Sequence, residues 1–596
     1  MKRLLTCHRQ SVLIAIGCTM MLMGCTNEDY DFDKVDFTLG FGSDELVLPG
    51  NNSTAEILLD DLLKIEGSDL ISTTESGDYM FGKQPDAVNP VTVTIDPITL
   101  KESESVDKSI EINLPEELRL LAGQTVDVSA MNIAASGDVA ALDYNFELPA
   151  AVRSLQRLGV GVNNAGVSLV LNLTLPTVIK RFETVDIDLP DCLTMTCLTQ
   201  VPGATFNPVD NHLTLRNYEP QGSLQLVFNV THIEVADHGE ANFVKVTADH
   251  HIQLVGTVTL GVKVAQLQVP DESSILLGGN VDFSGVNITS ADGVFDPEIN
   301  LNEAGTVTIT SIPDFLLDEE VVADLDNPQI WLNIHSTMPL GGTIKAHLYS
   351  DTYPQGIILD GEKAIRIRGG APDGQTETVT QAVICRYRPD NLTDNSLQVI
   401  VDDDLSKLVN KLQEGMTIHF DVTEAKAEQV PATVLLGHEY HLTPAYNFSA
   451  PLAFGPQAKI VYRKTFDNWH KDLDKLALKA GSKVRVTGTA VNQIPASLEL
   501  LATAIDSEGN ELRDLNVNLI QKTVAGTKGA ATESPVEVEI TDATGKGISQ
   551  LNGLSIKLKA TSNAELRGVT LNKQTQTLIL KDVNARIVGN VIYDAN

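Results

Sequence analysis

The feature that most constrains this chain is a period of two. Ile252, Leu254, Val258, Leu260, Val262 and Val264 fall on one face of an extended segment, while Gln253, Thr257, Thr259 and Lys263 fall on the other. That alternation marks half-buried β-strand, because successive side chains of a strand point to opposite sides of its sheet. The same pattern recurs at 91–95, 110–114, 167–175, 224–230, 307–309, 484–486, 536–540 and 578–591, with Gly, Asn, Asp and Pro between the runs as turns. Helical spacing is rare. Leu405, Leu408, Val409 and Leu412, after Asp404 and before Gly415, predict one short helix; Phe466, Trp469, Leu473 and Leu476 predict a second, and Leu58, Leu59, Leu62 and Leu63 a third. The expected class is therefore all-β, with tandem antiparallel β-sandwich domains and a few short helices.

At 596 residues the chain is too long for one core, and roughly 150 residues per domain implies about four. The division read from the sequence is 1–24, a signal segment; 25–36, an acidic tether; and β domains at 37–190, 191–310, 311–455 and 456–596. An internal echo supports the tandem reading. Trp331 to Pro339 runs into Thr343 to Leu348, and Val486 to Pro495 runs into Glu499 to Ala504, each a strand, an apolar residue plus proline, and a second strand. With Asn327-Pro328, the first copy resembles the strand-Pro-strand core of late-embryogenesis-abundant type β-sandwiches.

The amino terminus reads as targeting. Lys2, Arg3 and Arg9 precede a short apolar run, 12–23, that ends on Leu22-Met23-Gly24-Cys25. This resembles the lipobox of bacterial lipoproteins, which implies a thioether-linked lipid on Cys25 and cleavage ahead of it. Cys18 competes but lacks the leucine. The acidic run Asn27-Glu28-Asp29-Tyr30-Asp31-Phe32-Asp33 resembles the surface-export signal of Bacteroidota lipoproteins, and implies a lipid-anchored outer-membrane protein facing the cell exterior. Its partner there is membrane lipid, reached through the acyl chains. As a calcium loop the run fails, since Lys34 and Gly40 stand where an EF-hand needs Gly and Glu. The stretches 36–81 and 430–454 also resemble surface lipoproteins of that phylum, a resemblance that brings no activity with it.

Charge narrows the function. With 43 Lys and Arg against 79 Asp and Glu, the net charge is -36, and a surface that acidic repels phosphate, so no nucleic-acid partner is expected. The sequence has no Gly-x-Ser-x-Gly elbow and no P-loop, and His438-Glu439-Tyr440-His441 has its histidines three apart where a zinc-protease helix needs four. One cluster is a weak metal candidate: if 236–242 turns one strand back on the next, His232 and Glu234 would approach His250 and His251. Cys192 and Cys197 are spaced for a small disulfide loop in an oxidising envelope, and Cys385 reads as a buried thiol. No cofactor beyond the lipid is expected.

A glycan binder would present aromatic platforms, but Trp331 and Trp469 both read as core residues. No catalytic residues are nominated. The expected role is non-enzymatic: binding, adhesion or scaffolding toward a protein or glycan ligand. The alternatives are a fimbrial subunit polymerising by strand addition and a glycan-binding or glycan-degrading lipoprotein.

Overall fold

The computed structural model describes residues 38–594 except 49–56, 60–62, 64, 66–67, 69, 84–89, 238, 240–241, 302–304, 390–391, 395, 468–475, 479–481 and 545–546. Cys25, the acidic run and Trp469 lie outside the described residues. Strands make up 57% of the structure and helices 6%, which sets the class as all-β. Among the described residues the registered strand pairs are antiparallel, except that Thr378–Cys385 runs parallel to Gln398–Val401. The period-two reading holds residue by residue in the strand His251–Gln268, where Ile252, Leu254, Val258, Leu260, Val262 and Val264 are all buried. Each such side chain contributes about 1.5–3 kcal/mol when taken out of water, so a register slip of one residue would forfeit the whole set.

The chain divides into two compact units, and both are discontinuous. One comprises 1–62, 461–560 and 576–596; the other comprises 63–460 and 561–575. The sequence-based boundaries differ from this. The cut at 190/191 falls inside a single fifteen-stranded sheet, between Ile179–Asp188 and Leu193–Cys197. Amino-terminal strands pair with much later ones, Tyr79–Lys83 and Val91–Thr94 with Glu439–Pro451, and Thr38–Leu48 with Thr577–Asp594. Such long-range pairings leave no trace in local composition.

Within the 63–460 unit, the strand Thr99–Asn113 turns one sheet into the next. Its first half pairs with Ala134–Glu147 and its second half with Ser274–Asp282. Phe146, Phe182, Phe228, Phe283 and Phe295 are fully buried in this part of the unit. A second pair of sheets follows. In one, Gln329–Ser336 lies between Thr378–Cys385 and Glu439–Pro451; in the other, Gly342–Ser350 lies between Thr417–Ala427 and Tyr353–Leu359, with Ile365–Ile367 pairing to its first three residues.

The other unit repeats this plan. Lys483–Asn492 lies between Thr532–Asp542 and Thr577–Asp594, and Ser497–Ile505 lies between Gly553–Thr561 and Thr523–Val524. The echo seen in the sequence is thus the crossing from one sheet to the other. Both corners are built alike. Buried Ser336 accepts the Met338 N–H at 3.1 Å, and buried Asn492 accepts the Ile494 N–H at 2.9 Å. Pro339 and Pro495, which have no N–H to donate, follow and end the ladder. A later loop then caps each corner carbonyl, Gly370 N to Met338 O at 2.8 Å and Thr527 N to Ile494 O at 3.3 Å.

Of the three predicted helices, the first is the five-residue 3₁₀-helix Leu405–Val409; of the second, Phe466 ends the strand Lys459–Phe466 and Leu476 begins the strand Leu476–Leu478, while Trp469 and Leu473 lie outside the described residues. In the third, Leu58 is strand, and Leu59 and Leu63 are helical. No helix among the described residues is long and apolar enough to cross a membrane.

Candidate functional site

The cysteine pair is not bridged. Cys192 and Cys197 bracket the extended strand Leu193–Cys197, and five residues at about 3.3 Å each separate them by roughly 16 Å, far beyond the ~4.4–6.8 Å Cα separation of a disulfide. Burial pushes the Cys192 thiol up to about 12, and the Cys197 thiol donates to Thr199 O at 3.4 Å. Cys385 is fully buried, and its thiol is pushed up to about 11 by that burial.

The histidine cluster is likewise dispersed. His232 and Glu234 sit on Gly222–Glu234, which pairs with Val152–Val160, Val167–Leu175 and Leu193–Cys197. His251 opens a strand that pairs instead with Phe243–Val246, Ala134–Glu147 and Ile179–Asp188. The chain that was expected to return onto His232 forms the short strand Phe243–Val246, and the tight turn sits at 247–250. Each histidine has other partners: His232 Nδ1 meets Thr231 Oγ1, His250 Nε2 meets Pro149 O, and His251 Nε2 meets the Lys101 ammonium. Burial holds His232 below the ordinary imidazole range. Among the described residues, no three His, Cys, Asp or Glu side chains are grouped to hold a metal. What the region does form is a cavity of about 350 Å³, walled by Leu148, Leu155, Val235 and Val244 with Arg153, Asp237, Lys245 and His250 around them.

A more organised ionic site lies on Ile179–Asp188 and His212–Arg216. His212 Nδ1 is 2.6 Å from Asp188, its Nε2 is 3.0 Å from Thr214 Oγ1, and that hydroxyl donates to Asp186 at 3.0 Å. Asp, His and Thr in that order would suit an activated hydroxyl, but Thr214 already gives its proton to Asp186. The hydrogen bond to Asp188, with the Asp188, Asp186 and Asp210 charges, raises the His212 pKa, so the imidazolium clamps two strands. A raised folded-state pKa stabilises below the unfolded value, about 6.5, and the contribution fades as pH climbs through the folded value. His212→Gln should therefore lower the urea midpoint more at pH 5.5 than at pH 8.5. Equal losses at both would contradict the clamp.

Two nearly fully buried carboxylates organise the second pair of sheets. Asp324 meets Arg386 Nη1 at 3.0 Å and accepts the Gln457 N–H at 2.8 Å. Asp326 meets Arg567 Nε at 3.2 Å and accepts a hydrogen bond from the Tyr387 hydroxyl. Burial, then Asp326, push Tyr387 up to about 12, so it stays a donor across the physiological range. Arg567 belongs to 561–575, and this pairing holds that segment within the 63–460 unit.

The surface feature the sequence reading missed is the outward face of Gln329–Ser336. The strand alternates half-buried and buried, with Gln329, Trp331, Asn333 and His335 outward. Trp331 is therefore not a core residue as its strand context suggested. Its indole N–H donates to Gln329 Oε1 at 3.1 Å. Register places Val383 and Asn447 beside Trp331, Gln381 and Ala445 beside Asn333, and Val379 and Thr443 beside His335. Gln381, Val379 and Ala445 are exposed. Gln381 Nε2 donates to Asn333 Oδ1 at 3.1 Å. None of these positions is a carboxylate; Glu377, 3.3 Å from His335, stands at the rim. On the other sheet, His347 and His419 both stack on Tyr349, at 4.7 and 4.6 Å between ring centroids.

No family model matches the chain, and no curated protein matches it. Among solved structures, the chain is similar to a protein of Parabacteroides distasonis provisionally classed as secreted, at 12% identity and a TM-score of 0.28, over 52% of this chain and 90% of that one. An adhesin amino-terminal domain of Streptococcus gordonii aligns at 9% identity and a TM-score of 0.12, over 88% and 98% of the two chains. An adhesin domain of Streptococcus pyogenes aligns at 10% identity and 0.10, over 64% and 97%. Scores this low carry no weight for function.

Proposed function

We propose that this chain is a lipid-anchored protein of the outer membrane, facing the cell exterior, with a non-catalytic binding or adhesion role. The observation that carries the binding role is the Trp331 face: a half-buried aromatic residue among amide side chains, with no carboxylate at the register positions beside it, in a chain of net charge -36. A purely solvating surface of so acidic a protein would carry its share of Asp and Glu. An aromatic residue ringed by polar groups is the usual centre of a binding patch. The anchor rests on Leu22-Met23-Gly24-Cys25 and the acids after it. Beads coated with the purified chain should be retained saturably on surfaces coated with mucin or extracellular matrix, and the coating should be recovered at unchanged mass. Absence of retention, or progressive cleavage of the coating, would contradict the reading.

One observation favours assembly by strand addition as a second reading. Leu515–Gln521 is the outermost strand of its sheet and carries no charge and no proline, the devices that usually blunt a free edge. Polymer ladders after protease treatment would move the account toward that reading.

A further inference from the structure

We propose that the outward face centred on Trp331 binds a neutral glycan chain, the indole stacking on the C–H face of a pyranose ring while the surrounding amides bind its hydroxyls. The proposal rests on the binding reading above and names the ligand class of that face.

Three features select this chemistry. The first is the ring itself: Trp331 is half-buried on the solvent side of its sheet, and its N–H is tied back to Gln329, which fixes the indole without covering it with another aromatic ring. The second is the kind of polar group around it. Gln329, Asn333, Gln381 and Asn447 are all amides, which offer both donors and acceptors, as vicinal hydroxyls require. The third is their spare capacity. The Gln381–Asn333 bond occupies one atom of each, leaving Asn333 Nδ2 and Gln381 Oε1, and Asn447 has no side-chain partner among the described residues. Charge then selects among the alternatives. At the register positions beside Gln329, Trp331 and Asn333 there is no Lys or Arg to meet phosphate, sulfate or uronate and no carboxylate to meet a cationic peptide, Glu377 and Glu439 lying toward and beyond the His335 end. Cross-strand neighbours lie about 4.5–5.5 Å apart, so the aromatic ring and the amides beside it fall within the reach of one short oligosaccharide.

The test is affinity electrophoresis of the purified full chain in native gels containing β-glucan, mannan or xylan, with polygalacturonate as the anionic control. At least one neutral polysaccharide should retard the chain, and polygalacturonate should not. Trp331→Ala should weaken that retardation at least tenfold, Trp331→Phe should restore part of it, and Asn447→Ala should weaken it several-fold, with thermal melting confirming that each variant is folded. No retardation by any neutral polysaccharide, or retardation unchanged in folded Trp331→Ala, would overturn the proposal. If bead retention on mucin or matrix is lost in Trp331→Ala while no glycan retards the chain, the face binds another class of partner, such as protein, and only the ligand class falls. If that retention also survives Trp331→Ala, both readings of the face fall.

Discussion

Replacing Arg386 by methionine is expected to destabilise the 63–460 unit by about 3–5 kcal/mol, the usual cost of stranding a buried charge. Asp324 is 2% exposed, and its carboxylate is balanced by the Arg386 guanidinium and the Gln457 N–H. Methionine keeps most of the side-chain stem and removes the charge, so a backbone amide alone would remain to compensate a carboxylate shut away from water. The same guanidinium reaches Leu325 O at 3.4 Å, and the Arg386 N–H donates to Asn327 Oδ1 at 3.0 Å, so the loss is felt where the Gln329 strand begins. Adding Asp324→Asn should recover part of the loss, because the stranded charge is then gone. Urea unfolding followed by a signal specific to this unit measures both. A shift below about 0.5 kcal/mol for the single variant, the range of an exposed pair, would contradict the burial argument.

How far the sequence could be read depends on the range over which each property is encoded. Strand periodicity is local, so His251–Gln268 and Val167–Leu175 were legible from their own residues. The repeated corner was legible too, since strand, apolar residue and proline are contiguous in both copies. Pairing partners are not local: nothing in residues 79–83 announces 448–451. Of the helix expected over 466–476, the two described ends Phe466 and Leu476 are strand, because a spacing of three and four does not exclude strand ends. The metal candidate failed for a related reason. It assumed that a strand returns onto its predecessor, whereas the chain interposed Phe243–Val246 and carried His251 into another ladder. Trp331 was misjudged because alternation shows that a residue shares a face with Gln329 and Asn333 but not which face meets solvent. The two flanking amides were the available signal. The charge balance of Asp324, Asp326, Arg386 and Arg567 joins residues up to 241 positions apart and has no sequence signature.

The largest functional effect is expected at the anchor. Two or three acyl chains on Cys25, at about 0.8 kcal/mol for each buried methylene, would hold the chain at the membrane essentially permanently. No described helix could substitute for them. Cys25→Ala should therefore abolish membrane association rather than weaken it. Replacing Glu28, Asp29, Asp31 and Asp33 by Ala should leave lipidation intact and withdraw the chain from the cell exterior. The direct measurement is fractionation after a high-salt and carbonate wash, paired with external protease treatment of intact cells. The account predicts that the wild-type chain stays in the outer-membrane pellet and is cut from outside, that Cys25→Ala is released or left unprocessed, and that the quadruple variant pellets but resists protease. A Cys25→Ala chain that pellets like the wild type, or a wild-type chain that intact cells shield from protease, would contradict it.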